Sequence, residues 1–182
     1  MNIEVFDNLV DYSIRNKVYV FCTNSQFRLG WEDSDELSKN IIKNIHSSWD
    51  LKDLESSGIE PYIKKAFSQS KLFTYNTEKL WRIELNLVKS EDVHFVHTHR
   101  NKVVALYYVN LDWQDGYYGE TMFYDNKNIN NIIYTSPYVP GRIILFDGDY
   151  PHSIRPQSTI APKFRFTISI FFDKWPQPDI SS

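Results

Sequence analysis

Three histidines and one arginine, spread over several β-like runs, are the residues best suited to chemistry in this sequence. His97 and His99 are separated by one residue, so on a strand their side chains would point to the same face. His152 follows an apolar run and an Asp-Gly-Asp turn, where a third imidazole could return to the same point. Imidazole suits iron, zinc, copper and nickel. The pattern predicts a divalent-metal site, although a His-x-His pair alone is more often two satisfied polar residues.

Arg165 is the candidate for binding an anion. It shares one face of an alternating run with Thr167 and Ser169, and the opposite face is apolar. A buried arginine requires an anionic partner, and its planar fork matches a carboxylate in two hydrogen bonds. Two interpretations stay open at this point: the carboxylate of a bound ligand, or an internal ion pair with Asp147 or Glu120.

The N-terminal half is predicted to be mainly helical. Apolar residues recur at helical spacing in 35–49 and 57–70, and Pro61 lies near the first turn of the second helix, where proline is tolerated. The predicted elements are a strand at 3–6, a brief helix capped by Asp7, a strand at 18–21, a loop at 25–34, a helix at 35–49, a turn at 50–53 and a helix at 57–70.

The C-terminal half is predicted to be β-structure. Residues 80–88 alternate, with Trp81, Ile83, Leu85 and Leu87 on one side, and 103–109 form an almost unbroken apolar run. Further strands are predicted at 121–124, 142–146 and 164–172, with a polar loop at 126–131. Helices followed by many short strands predict an α+β fold, and the polar inner row of the last strand indicates a barrel-like body with a solvated pocket.

Composition restricts the class of protein. The chain has 182 residues, 42% hydrophobic and 16% aromatic, which suits one globular domain. Its net charge of −3 indicates no general affinity for nucleic acid or for an anionic membrane. Cys22 is the single cysteine, which fits a reducing compartment, and neither a signal peptide nor a membrane-spanning run is recognisable. We therefore expect a cytoplasmic protein, or one of the host cytoplasm if the source is viral.

From Arg82 to Phe172 the chain resembles the iron(II)- and 2-oxoglutarate-dependent dioxygenases, most closely their prolyl 4-hydroxylase-like branch. The resemblance covers about half of the chain and depends on several motifs that occur in the expected order. The matching segments are His97-Thr98-His99, 106–110 with Trp113, 119–124, 140–146, 151–156 and 165–169.

This resemblance implies a double-stranded β-helix, or jelly roll, with flanking N-terminal helices. The whole chain, 1–182, would be a single domain. Residues 79–175 would form the jelly-roll core, and residues 1–78 would supply mainly helices and edge strands.

The resemblance also implies roles for individual residues. His97 corresponds to the first metal ligand and His152 to the distal one. Arg165 corresponds to the basic residue that pairs with the far carboxylate of 2-oxoglutarate. Tyr108 resembles a strand tyrosine that hydrogen-bonds the same carboxylate, and Thr167, beside Arg165, is a further candidate for binding the cosubstrate.

The sequence departs from the resembled pattern at one ligand. The family motif is His-x-Asp/Glu, but His99 stands where the carboxylate is expected. Asp92, Glu120 and Asp149 lack the strand spacing to replace it, so we expect a site of three histidines. A neutral imidazole leaves a higher charge on the metal than a carboxylate would.

The function implied by the resemblance is a hydroxylase that uses iron(II) and 2-oxoglutarate, with ascorbate as an optional reductant. It would hydroxylate a C–H bond of a peptidyl proline or an amino-acid-like substrate and release succinate and carbon dioxide. One alternative is a three-histidine dioxygenase that does not use 2-oxoglutarate. A second is a non-catalytic jelly-roll binding protein. The resemblance also suggests a microbial or viral source, whereas oligomeric state is open.

Overall fold

Two antiparallel sheets of unequal size form the body of the protein, seen in a computed structural model that describes residues 2–31, 44–92 and 94–174. The elements in chain order are β1 (Ile3–Phe6), α1 (Tyr12–Thr23), β2 (Arg28–Trp31), β3 (Asn44–Trp49), α2 (Leu51–Ser57), α3 (Glu60–Gln69), a 3₁₀ turn (Thr77–Lys79), β4 (Leu80–Val88), β5 (Lys102–Tyr108), β6 (Thr121–Asp125), β7 (Asn128–Ser136), β8 (Ile143–Asp147), β9 (His152–Ile154) and β10 (Arg165–Asp173).

The two sheets and the helices make an α+β double-stranded β-helix, as the sequence predicts. The larger sheet has seven strands in the order β1-β8-β5-β10-β4-β3-β2, and the smaller has three in the order β7-β6-β9. β10 lies between β4 and β5 and is antiparallel to both. None of the described helices is long and apolar enough to cross a membrane.

The larger sheet is covered on both faces, which explains the unbroken apolar run in β5. Ala105 and Tyr107 belong to a core shared with the three helices, whereas Val104 and Leu106 belong to a second core beneath the smaller sheet. Residues of one strand alternate between the two cores because successive side chains point to opposite faces. The helices thus cover the outer face and leave the inner face for the site.

β10 follows the predicted alternation. Phe166, Ile168 and Ile170 pack into the helical core, while Arg165 and Thr167 are buried on the inner face. The same register pairs Ser169 with Glu84 of β4 and with Leu106 of β5. Arg165 therefore stands on the central strand of the larger sheet, inside the molecule.

Several predictions for the N-terminal half are wrong. The strand predicted at 18–21 and the brief helix after Asp7 are replaced by α1, in which Val18 and Cys22 lie one helical turn apart and are both buried. The predicted turn at 50–53 begins α2, because Asp50 and Asp53 form a capping box. The predicted loop at 25–34 contains β2.

Two further segments form strands where the sequence pattern predicts a helix or a loop, because pairing with a neighbouring strand outweighs the local pattern of apolar residues. Residues 44–49, predicted as the end of a helix, form β3 and pair with β4 from Ile45–Leu87 to Trp49–Ile83. Residues 35–43 of that predicted helix lie outside the described part of the chain. The polar loop predicted at 126–131 is shorter, since β7 already begins at Asn128.

A β-bulge moves Trp81 off the face on which alternation predicts it. β10 residues Phe171 and Phe172 oppose Arg82 and Leu80, so Trp81 is the extra residue of β4. Its side chain is 51% exposed, whereas Ile83 is buried in the helical core. Trp81 therefore lies outside the core to which the sequence pattern assigns it.

Candidate metal centre

The three predicted histidines come together inside the fold. One ligand nitrogen from each of His97, His99 and His152 lies within 4.8 Å of the others. The ring centroids are 4.9 Å apart for His97 and His99, 4.5 Å for His97 and His152, and 5.0 Å for His99 and His152. Within the described residues, this is the cluster whose side chains are close enough to share one ion.

Backbone hydrogen bonds hold the three residues in place. His97 and His152 exchange N–H···O bonds of 3.0 and 2.9 Å, and His152 opens β9. The prediction that His97 and His99 lie on a regular strand is only partly right. Their segment is extended, but it pairs through an isolated bridge from His97 to His152 rather than through a ladder.

Hydrogen bonds fix the tautomers of two of the rings. The Nδ1–H of His97 donates to the carbonyl of Phe95 at 3.0 Å, and that of His152 donates to the carbonyl of Tyr150 at 2.8 Å. A carbonyl only accepts, so Nδ1 carries the proton in both rings. Nε2 is then left with a free lone pair, which is the form in which imidazole binds a metal.

Burial favours the neutral form of His99 and His152. Burial, followed by the positive potential of His97, lowers the pKa of His152 to about 3. Burial also lowers the pKa of His99 well below its ordinary value, with His152, His97 and Arg82 adding to the effect. Neutral imidazoles are available as ligands at neutral pH without first losing a proton.

Arg165 lies in the same cavity with most of its hydrogen-bonding capacity unused. Its side chain is fully buried, and its Nε donates to the carbonyl of Gly119 at 3.0 Å. Both terminal nitrogens lack a hydrogen-bond partner among the described residues. The two internal acids considered as partners pair elsewhere, Asp147 with Lys174 at 2.6 Å and Glu120 with Arg155 at 3.7 Å. Burial lowers the pKa of Arg165, as expected for a cation that has lost its water.

Two tyrosine rings pack against the guanidinium of Arg165. Its carbon lies 4.8 Å from the ring centroid of Tyr138 and 5.5 Å from that of Tyr108, and these two rings stack 4.4 Å apart. The hydroxyl of Tyr138 donates to the carbonyl of Phe166 at 2.6 Å, which ties the stack to β10. The hydroxyl of Tyr108 donates to Thr121 at 2.7 Å. Of the predicted cosubstrate residues, Arg165 and Thr167 line the cavity, whereas Tyr108 lies behind Thr121.

One cavity joins the histidines to the arginine. One wall is the inner face of the larger sheet, where β4 and β10 contribute polar residues and β5 and β8 contribute apolar ones, and β6 and β9 of the smaller sheet line the opposite side. Its lining includes Arg82, Glu84, Asn86, His94, His97, His99, Val104, Leu106, Thr121, Phe146, His152, Arg165, Thr167, Ser169 and Phe171. A metal at the histidines and an anion at Arg165 would therefore share one enclosed space.

Sequence reasoning missed the charged pair in this wall. Arg82 and Glu84 line the cavity, with Arg82 Nε 3.5 Å from Glu84 Oε1. The Arg82 guanidinium lies 4.6 Å from the ring centroid of Phe171, and that ring is 4.7 Å from the ring of His99. The alternating pattern of β4 predicts that Arg82 and Glu84 lie on the face opposite the apolar residues. It does not predict that this polar face lines the cavity. Tyr138, also missed, belongs to no periodic pattern.

Other predicted alternatives lie away from the three histidines. Asp149 binds the backbone N–H of Asn101 and a lysine, and Asp92 binds the backbone N–H of Lys89. Trp113, one of the residues that carry the resemblance, packs with its ring centroid 4.3 Å from that of Tyr138, on the Arg165 side.

Comparison with known proteins adds to this geometry. No family model and no curated protein sequence matches the chain. A prolyl-4-hydroxylase from Pseudomonas putida matches with a TM-score of 0.66 and 16% identity over 95% of this chain and 93% of that one. A prolyl hydroxylase from Trichoplax adhaerens, in complex with a hypoxia inducible factor oxygen degradation domain peptide fragment, matches with a TM-score of 0.64 and 15% identity over 94% and 83%.

A third match extends the range of similar structures. HygX from Streptomyces hygroscopicus, with nickel and 2-oxoglutarate bound, matches with a TM-score of 0.65 and 9% identity over 94% of this chain and 82% of that one. The chain thus has the fold of the prolyl hydroxylases and other 2-oxoglutarate and iron(II) oxygenases, and the resemblance found in its sequence is confirmed at the level of structure.

Proposed function

We propose that this chain is a 2-oxoglutarate-dependent non-haem iron oxygenase in which His97, His99 and His152 hold the metal. The donor set fits a divalent first-row ion, because burial lowers the pKa of His99 and His152, and His97 and His152 direct Nε2 away from their backbone hydrogen bonds. When bound, the metal and 2-oxoglutarate would supply the oxidising chemistry, with succinate and carbon dioxide as co-products and ascorbate as an optional reductant.

The observation that carries the proposal is the unpaired guanidinium of Arg165 in the same cavity as the histidines. Two buried terminal nitrogens without acceptors are costly unless a ligand supplies the acceptors. A carboxylate matches this fork in two bonds. A dicarboxylate could place one end at Arg165 and leave the other for the metal, with Thr167 beside it on the cavity wall.

The chain's own residues would position the reactants. Tyr138 and Tyr108 stack behind Arg165 and orient its fork, while the backbone bonds of His97 and His152 fix two ligands relative to each other. The apolar residues of the same sheet face, which include Val104 and Phe146, would limit access of bulk water to the bound cosubstrate. The substrate on this proposal is a peptidyl proline or an amino-acid-like molecule, hydroxylated at a C–H bond.

The all-imidazole donor set favours one competing function, a three-histidine dioxygenase whose own substrate binds the metal. No carboxylate joins the three rings among the described residues. Parallel assays of oxygen uptake and succinate formation separate the two. Succinate formed in step with oxygen consumed supports the 2-oxoglutarate enzyme, whereas oxygen uptake that is independent of 2-oxoglutarate supports the competitor.

Anaerobic titration with iron(II) and then 2-oxoglutarate tests the proposal directly. We expect a visible charge-transfer band that saturates with one equivalent of each. His152→Ala should abolish it, because two imidazoles hold a divalent ion poorly, whereas His94→Ala changes a cavity residue outside the cluster and should keep it. A protein that takes up neither iron nor another divalent metal would instead be a non-catalytic binding protein.

A further inference from the structure

The turn between β8 and β9 holds two of the three histidines in place. The carbonyl of Gly148 accepts the backbone N–H of His99 at 2.7 Å. Two residues further along the chain, the carbonyl of Tyr150 accepts the Nδ1–H of His152 at 2.8 Å. One short segment, residues 147–150, therefore fixes the backbone of one candidate ligand and the ring of another.

A lysine binds this turn from outside the cavity. The Nζ of Lys174 lies 2.6 Å from Asp147 Oδ1 and 2.5 Å from Asp149 Oδ2, so one ammonium group bridges the two carboxylates on either side of Gly148. The backbone N–H of Lys174 also donates to the carbonyl of Asn101 at 3.0 Å. The residue that follows β10 is thus fixed through its backbone and attached to the turn through its side chain.

The two carboxylates also bind backbone groups near the histidines. Asp147 Oδ1 accepts the N–H of Asp149 at 2.9 Å, inside the turn. Asp149 Oδ1 accepts the N–H of Asn101 at 2.9 Å, and Asn101 lies two residues after His99. Each acid is therefore shared between Lys174 and a backbone N–H. A displacement of either carboxylate would move the backbone that supports His99.

The charge of Lys174 is what keeps the two acids together. Without an ammonium between them, Asp147 and Asp149 would repel each other across the turn, because like charges at short range in a partly buried site are unfavourable. The side chains are 29%, 18% and 42% exposed for Lys174, Asp147 and Asp149. An isolated exposed ion pair contributes little to stability, but several charges joined in one network are the case in which ion pairs do contribute.

We propose that Lys174 is a positioning residue for the metal centre, acting through the turn at 147–150 on His99 and His152. This inference rests on the proposed function, because it takes the two histidines to be metal ligands. Neutralising Lys174 would remove no ligand and no residue of the cavity lining, but it would loosen the turn that presents two of the ligands. The metal centre would thus depend on a cation that follows β10, at a distance from the cavity.

Anaerobic titration of the full chain with iron(II) alone, in competition with a chromophoric chelator, tests the proposal. We expect Lys174→Gln to raise the dissociation constant for iron(II) about tenfold, the lower end of the range for loss of a contact that supports a ligand. Lys174→Arg keeps the charge and should recover most of the affinity. Asp173→Asn is the matched control, because it breaks a 2.6 Å ion pair with Lys102 next to Lys174 without touching the turn. It should leave the affinity unchanged.

Ionic strength supplies a readout that a purely structural role would not change. Salt screens partly exposed ion pairs, so it should weaken the bridge made by Lys174 in the wild type. Lys174→Gln has no such bridge to lose. The iron(II) affinities of the wild type and of Lys174→Gln should therefore differ most at low salt and converge at high salt. Comparing the two proteins removes the general effect of salt on metal binding.

Amide hydrogen exchange in the metal-free protein examines the turn itself. The amide of His99, bonded to the carbonyl of Gly148, should exchange faster in Lys174→Gln than in the wild type or in Asp173→Asn. The proposal is overturned by equal exchange in the three proteins, by an unchanged iron(II) affinity in Lys174→Gln, or by an equal loss of affinity in Asp173→Asn. A wild type that binds no divalent metal would refute the proposed function and this inference together, whereas metal binding without these differences would refute only the inference.

Discussion

Gly148 lies against the backbone of His99 so closely that no side chain fits between them. The N–H of His99 donates to the carbonyl of Gly148 at 2.7 Å, and the N–H of Gly148 donates to that of Lys102 at 2.8 Å. A Cβ built on Gly148 would lie 2.5 Å from the carbonyl oxygen of His99. The Asp-Gly-Asp turn at the end of β8 thereby sets the position of His99, the residue at which the resembled motif has a carboxylate.

Gly148→Ala should therefore weaken metal binding without removing a ligand. The atom that the added Cβ would meet is the backbone carbonyl oxygen of His99, so the backbone around His99 must move. A displaced ligand should lower the affinity for the metal by about 10–100-fold, as the loss of a contact that supports a ligand does. Competition with a chromophoric chelator measures the affinity. Unchanged affinity in a folded variant would show that the turn does not position His99.

His99→Asp should retain or improve iron binding. The substitution restores the carboxylate of the resembled motif and lowers the net charge of the metal site, which stabilises a divalent cation. Iron content after reconstitution and the affinity for iron(II) are the measurements. If His99→Asp lost metal entirely while the wild type held it, position 99 would not be a ligand position.

Arg165→Met should separate stability from cosubstrate binding. Loss of a buried charge-assisted pair costs about 3 kcal/mol, on the order of 100-fold in 2-oxoglutarate affinity. The ligand-free variant should be as stable as the wild type or more stable, because a buried cation without an anion is replaced by an apolar side chain. Thermal unfolding with and without 2-oxoglutarate reports both effects, and an unchanged response to 2-oxoglutarate would contradict the assignment.

Gly119→Ala tests the packing around Arg165. Gly119 has φ of +83°, and a Cβ there would lie 3.0 Å from Trp113 and 3.3 Å from Arg165. Gly116→Ala is a matched control, with φ of +84° and nothing within 4 Å of the added carbon. Both should lose about 1 kcal/mol of stability from backbone strain, but only Gly119→Ala should also weaken 2-oxoglutarate binding. Equal affinities for 2-oxoglutarate in the two variants would show that the added carbon at position 119 does not disturb Arg165.

The metal-free protein should lose stability as pH falls. The pKa of His152 is lowered to about 3 in the folded state, against about 6.5 for an unfolded histidine. Between these values the unfolded chain binds more protons, so stability rises with pH and is lost on acidification below about pH 6.5. The loss for His152 alone is about 2 kcal/mol at about pH 5. Denaturant unfolding across pH should show this slope reduced in His152→Gln; an unaltered slope would contradict burial of a neutral ring.

Sequence periodicity predicted the strands that position the site because their burial follows a simple alternation. β10 places Arg165 and Thr167 on one face and Phe166 on the other, as the pattern indicates. Periodicity did not predict β3, because this segment forms a strand through its pairing with β4 rather than through the pattern of its own residues. The bulge at Trp81 likewise depends on the opposing strand, which local patterns do not report.

For the site, spacing and resemblance together predicted which residues would meet. The convergence of His97 and His152 rests on a bridge between segments far apart in sequence, so spacing alone could not establish it. Arg82 and Glu84 were missed because alternation does not say which face of a strand is the inner one. The metal and cosubstrate roles of the site residues stay predictions. So does the assignment of the chain to a single domain with a flank at 1–78 and a core at 79–175.

The unequal width of the two sheets leaves part of the larger sheet outside the apolar packing between them. Apolar packing between the sheets draws on β1, β5, β8 and β10, and no described residue of β2, β3 or β4 belongs to it. β4 nevertheless supplies polar residues to the lining of the cavity, among them Arg82, Glu84 and Asn86. Substitution of Glu84 or Asn86 would therefore alter the lining of the cavity without changing a residue of the apolar packing between the sheets.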